Sequence, residues 1–181
     1  MAVESSFTVP DAVSFPEAIA LTQTLLDSLE QGTVTAAALE ATVCALMGSE
    51  NGARGFFVTY LSDDRSLADQ PAPAIVAALR TSPAIVALLL VKNLAMSTAM
   101  ALTHHRNQDE AMVRGSERVR SRTAQLIDQL QLPQVQLEAR QLAGAIETKT
   151  GAYQTFLERW RYDLEQQQAI QQVLKEIGII G

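Results

Sequence analysis

The chain is poor in the side chains that most often carry chemistry. Its single cysteine, Cys44, excludes an internal disulfide and fits a reducing compartment. The stretch around it, ATVCALM, is apolar, which implies a buried, inert thiol rather than a nucleophile. Histidine is limited to the adjacent pair His104 and His105. Neighbouring helical residues point about 100 degrees apart, so the pair cannot share one metal from a regular helix. Neither has a Glu or His at a zinc-motif spacing. No glycine-rich phosphate loop is present, because NGARG is too short and follows no credible strand. Ser97 lacks the flanking glycines of a nucleophile elbow. Asp63, Asp64 and Asp69 miss the EF-hand spacing and its central glycine, which leaves a solvated acidic loop. These absences predict no catalytic residue, no cofactor and no metal, and they weigh against an enzyme.

Basic side chains are also scarce, 14 against 20 acidic ones, for a net charge of -6. That balance argues against a general nucleic-acid binder. The shortage is local: residues 1–103 carry four basic and ten acidic side chains, whereas 104–181 carry ten of each. No basic segment followed by an apolar one opens the sequence, so no signal peptide is expected and the reading is cytoplasmic. A length of 181 residues suits one domain, 14–181, preceded by a flexible arm, 1–13.

What the sequence does have is one long apolar run, PAIVALLLVKNLAMSTAMALT, from Pro83 to Thr103. It is about long enough to cross a bilayer. Lys92 and Asn93 sit in its middle, however, and a central Lys alone costs roughly 2.5 to 3.5 kcal/mol on insertion. The Ala, Ser and Thr around them offset little of that, so the run reads as a buried core helix over 83–106 and no membrane attachment is expected. Ser82 and Pro83 suit its start, and His104, His105 and Arg106 complement the dipole at its end. Ile85, Leu88, Leu89 and Met96 are expected to bury, with Ala95, Ala99 and Thr103 forming a narrow ridge for close helix packing.

The rest of the chain reads as further helices. Ser14, Pro16 and Glu17 mark a capped start, and Ile19, Leu21, Leu25, Leu26 and Leu29 follow at helical spacing up to Gly32. Thr35 caps a second helix that ends at Gly48. In the segment 49–70, Asn51-Gly52 and Gly55 signal turns, while GFFVTYL over 55–61 is rich in strand formers. A lone strand cannot satisfy its own amides, so a helix of about three turns is preferred over a strand paired across a dimer axis. PAIVAAL at Pro73 is echoed by PAIVALL at Pro83, two consecutive helix starts. A helix capped by Asn107 with Glu110 runs from Gln108 towards Leu130, another follows Pro133, and a last one spans Ala152 to Ile177. The expected fold is all-α, a single-domain bundle of six to eight helices around the central one.

Three groups of residues remain as functional candidates. Arg114, Arg118 and Arg122 recur every fourth position and would stack along one helix face, where their forked donors could grip an acidic partner. Trp160, between Arg159 and Arg161, is a candidate anchor for the same partner. Asn93, Ser97 and His104 form a polar line on the central helix and would line a small-ligand pocket. The leading reading is a non-enzymatic adaptor or regulatory protein that binds another protein with an acidic patch, through the Arg-bearing helix and the C-terminal helix. The alternative is a small-molecule binding protein or enzyme built on the polar line. A homodimer through Phe56 to Tyr60 is the expected form of any self-contact.

Overall fold

In the computed structural model, residues 7–180 are described, and 76% of the structure is helix, with no strand among the described residues. The helices are α1 (Phe15–Glu30), α2 (Ala36–Leu46), α3 (Glu50–Ser62), α4 (Pro73–Arg80), α5 (Pro83–Arg106), α6 (Glu110–Leu130), α7 (Pro133–Thr148), α8 (Gln154–Trp160) and α9 (Leu164–Glu176). A 3-10 turn covers Ser66–Ala68. The chain divides into two compact units, Met1–Leu89 and Leu90–Gly181, with the boundary inside α5. Of the expected arm 1–13, residues 1–6 lie outside the described residues; Val13 is buried and its amide donates to the Pro10 carbonyl.

Local chemistry explains where the helices of the first unit begin. Ser14 and Glu17 exchange side-chain and backbone hydrogen bonds in a full capping box, and Thr35 accepts from the Ala38 amide at the head of α2. The 55–61 segment is helical, as preferred, but Gly52 and Gly55 are not turn residues. They lie inside α3 because two backbones meet there. A Cβ at Gly55 would come within 2.4 Å of the Ala18 Cβ on α1, and one at Gly52 within 2.2 Å of the Leu46 carbonyl oxygen. Phe56, Phe57 and Tyr60 are buried in the same unit, with Phe56 stacked on Tyr60 at 5.1 Å. Their rings are therefore taken up by the core, and Val58 is the exposed hydrophobic residue of that segment. Arg65 closes the acidic loop, donating to Asp63 at 2.7 Å and to Asp27 at 2.6 Å, with Glu30 at 3.3 Å. Cys44 is half-buried rather than buried, its sulfur lying 3.6 Å from the Thr81 hydroxyl.

The α5 helix is apolar and long enough to cross a membrane by length and composition, and 56% of its most apolar window is buried, the pattern of a core helix. The buried stripe differs from the expected one. Ile85, Leu88, Leu89 and Met96 are only half-buried, whereas Val86, Leu90, Leu94 and Thr98 form one fully inward row and Ala87, Val91, Ala95 and Ala99 the next. Small side chains let the second row face in, and Thr98 joins the first because its hydroxyl donates to the Leu94 carbonyl at 2.7 Å.

Two boundaries differ from expectation, and the second of them brings the count among the described residues to nine α-helices. Asp109, not Asn107, caps α6: its carboxylate accepts from the Met112 amide at 3.1 Å, while Gln108 takes a left-handed φ of 57° that keeps it outside the helix. The expected long last helix is two. Arg161 turns left-handed at φ 49° and ends α8, and Asp163 with Gln166 forms a capping box that starts α9 afresh. In the second unit α7 packs against both.

Candidate functional site

The break between α8 and α9 lies beside a line of polar groups on α5. Lys92, Ala99, Thr103 and Arg106 recur at offsets of seven, four and three, which places them on one helical face. Each holds a different part of the joint. The Lys92 ammonium lies over the Phe156 ring at 5.7 Å, which gives a cation in the middle of an apolar helix a partner from α8. Gln166, itself buried, donates from Nε2 to the Ala99 carbonyl at 3.2 Å and to the Thr103 hydroxyl at 2.9 Å. Its Oε1 accepts from the Asp163 amide at 3.0 Å, so the residue that caps α9 also fastens it to α5. Arg106 completes the line, donating to Asp163 at 2.6 Å and to Glu165.

Electrostatics in this corner are settled by Arg106. Its hydrogen bond, followed by that from the Gln166 amide, holds the Asp163 carboxyl below its ordinary range. The same two carboxylates, Asp163 first and then Glu165, push the guanidinium further up. Tyr162, between the helices, is buried, and desolvation raises its hydroxyl above the usual value; that oxygen has no hydrogen-bond partner among the described residues. Nearby Tyr153 is buried too but donates to Glu138 at 2.6 Å.

The joint presents two large hydrophobic side chains to solvent. Trp160 is 42% exposed at the last position of α8 and Leu164 is 71% exposed at the first of α9. Arg159 lies over the Trp160 ring at 5.9 Å, and Arg161 is exposed at the turn. Among the described residues neither Arg159 nor Arg161 is paired with a carboxylate. Trp160 is thus a surface residue, although a lone Trp on an amphipathic pattern more often belongs to the core.

The other candidates are placed differently. The arginine row is graded along α6: Arg114 is exposed, Arg118 half-buried and Arg122 only 3% exposed. Arg118 and Arg122 already have partners within the chain, so the row is not offered whole. On α5, Asn93 and His104 are half-buried, and Ser97 is buried with its hydroxyl bonded to the Leu94 carbonyl at 3.2 Å. They do not line the cavity of about 430 Å³ that lies between Asp128, Gln131, Leu132 and Ile179, nor a second of about 380 Å³ beside Arg140, Glu147 and Lys175. His105 faces Glu117 at 3.8 Å. Among the described residues no three of His, Cys, Asp and Glu lie close enough to hold a metal ion.

Residues 14–177 match the profile of the family described as uncharacterised conserved protein UCP020893, which covers every helix from α1 to α9. The chain belongs to that family. No curated protein and no solved structure is significantly similar to it. The family assignment thus takes in the whole α8–α9 joint and the α5 face that holds it, and it leaves their role to be argued from the residues themselves.

Proposed function

We propose that the protein is a non-enzymatic adaptor or regulatory protein of the cytoplasm that binds another protein through the α8–α9 joint. The single observation that supports this most is the pairing of Trp160 and Leu164, four residues apart across a turn and both exposed. Exposed tryptophan flanked by arginine is the composition of an interface hot spot, and burying a Trp there is commonly worth 2 kcal/mol or more, about thirtyfold in affinity. Rigidity strengthens the case. A capping box, a buried glutamine and a two-carboxylate clamp fix the joint before any partner arrives, which reduces the ordering cost of binding. The arginine row contributes at most through Arg114, its exposed member.

The test is a Trp160→Ala, Leu164→Ser double variant compared with the unaltered chain for recovery of bound proteins from an extract of the source cells. Leu164 is 71% and Trp160 42% exposed, so the double change should cost no more than about 2 kcal/mol of stability and leave the fold in place. A protein captured by the unaltered chain and lost at least tenfold with the variant is the expected result. Equal recovery by the two would overturn the assignment.

A further inference from the structure

The docking surface owes its charge to a residue outside it. Counting the side chains at the joint, Glu158, Asp163 and Glu165 stand against Arg159 and Arg161, which by itself would make the surface acidic. Arg106 changes the balance from α5: by engaging both Asp163 and Glu165 it sets three cations against three carboxylates. Glu158 is the one of the three that Arg106 does not engage, and it accepts a hydrogen bond from Gln154 at 2.6 Å. Lys92 adds a further cation beneath Phe156. Building on the docking reading above, we propose that Arg106 is the specificity-determining residue of the α8–α9 surface, and that the partner it selects is an acidic amphipathic helix of another protein.

Both halves of that partner follow from the joint. Leu164 and Trp160 ask for an apolar stripe, which a helix supplies at positions three and four apart. Arg159 and Arg161, neither paired with a carboxylate among the described residues, ask for carboxylates on the flanks of that stripe. A nucleic acid would meet the cations but not the apolar pair, and the net charge of -6 would repel it and an anionic bilayer alike. Arg106 itself need not touch the partner. It acts by setting its own positive charge against the two carboxylates of the rim, a positioning and charge-setting role.

Trp160 is the chain's one tryptophan, so its emission reports on this surface alone. Quenching by iodide and by caesium, each taken relative to its quenching of a free tryptophan amide at a constant ionic strength of about 0.1 M, reads the sign of the local charge. Iodide should quench the unaltered chain roughly twofold more efficiently than caesium. In Arg106→Ala the order should reverse, and adding Asp163→Asn and Glu165→Gln to that variant should restore it, since Asn still caps α9. The triple variant keeps the test decisive if the single change loosens the joint.

Binding is read with two designed helical peptides that share a leucine face, one carrying glutamates on its flanks and the other lysines. The glutamate peptide should shift Trp160 emission to the blue in the unaltered chain and the lysine peptide should not; Arg106→Ala should weaken the first at least tenfold. A quenching ratio unmoved by Arg106→Ala overturns this inference and leaves the docking reading standing. An unaltered chain that binds neither peptide overturns the docking reading as well. A blue shift with single-stranded DNA or anionic vesicles, and none with the glutamate peptide, overturns the choice of partner.

Discussion

The two compact units are held together by different physics. In the first, residues 1–89 carry three basic and ten acidic side chains, and the structure relies on close backbone approach: Gly55 against Ala18, Gly52 against the Leu46 carbonyl, aromatic rings filling what is left. In the second, residues 90–181 carry eleven basic and ten acidic side chains, and long polar side chains reach between helices: Gln166 to α5, Arg106 to α9, Tyr153 to Glu138. Glycines there do no such work, since a Cβ at Gly115 or Gly144 would meet nothing within 4 Å. Close packing makes the first unit intolerant of added atoms, whereas polar clips let the second fix a surface in space without burying it.

The sharpest way to break the contrast is to add atoms at a glycine in each unit. Gly55→Val should destabilise the protein by about 2 to 3 kcal/mol, because the Cβ position lies 2.4 Å from another side chain and the clash is with backbone-anchored atoms. For a chain of this size that is a fall in melting temperature of roughly 4 to 12 °C. Gly115→Ala should do the opposite, raising stability by up to about 1 kcal/mol through helix propensity alone. Differential scanning calorimetry of both variants checks the pair. Equal effects would erase the distinction.

A second, smaller effect sharpens the other side. Gln166→Ala removes a buried side chain that makes three hydrogen bonds and leaves the Asp163 amide without its acceptor, while the Thr103 hydroxyl keeps its bond to the Ala99 carbonyl, at a cost of about 1 to 3 kcal/mol. The loss should appear at Trp160 as well as in the melt. With α9 unfastened, the fluorescence anisotropy of Trp160 should drop before global unfolding. A variant that melts earlier with Trp160 still rigid would mean that the apolar contacts of α9, such as Ile170 and Leu174, hold the joint without the clip.

How much of this was legible in the sequence varies with the kind of force involved. Capped helix starts read directly, because the signal is local: Ser14 with Glu17 and Thr35 needed nothing beyond their own neighbours. The capping box of Asp163 and Gln166 has the same local form, and the apolar continuity from Tyr153 to Ile177 concealed it; reading it would have split the last helix correctly. Gly52 and Gly55 were misread for a different reason. A glycine that permits a turn and one that permits a close approach look alike until the second backbone is present. On α5 the polar line Asn93, Ser97 and His104 stands about one residue round the helix from the face of Lys92, Thr103 and Arg106 that α8 and α9 engage, because partners from other helices are invisible in a helical pattern. Trp160 was identified, but its exposure depends on a turn that only Arg161's left-handed backbone supplies.

The smallest expected effect separates the two units by pH and salt. Glu17 in the first and Asp163 in the second both have carboxyls held below their ordinary range, Glu17 by the Ser14 side chain first and Asp163 by Arg106 first. A carboxyl whose folded value is depressed stabilises the fold above its unfolded value, and loses that contribution as pH falls through the folded one. Stability should therefore decline below about pH 4 on account of both. Both groups are exposed, so the decline should be shallow. Salt distinguishes them. The Arg106 contribution is an interaction between two charges and should fade at about 1 M salt, where the Debye length is near 3 Å, whereas the Ser14 hydroxyl and amide carry no net charge to screen. Chemical denaturation with urea between pH 3 and 6, at low and high salt, should show Arg106→Ala flattening the acid limb at low salt only, and Ser14→Ala flattening it at both. If high salt removes the Ser14 part equally, the first unit's cap is electrostatic in the same sense as the second unit's clamp, and the contrast between them narrows to packing.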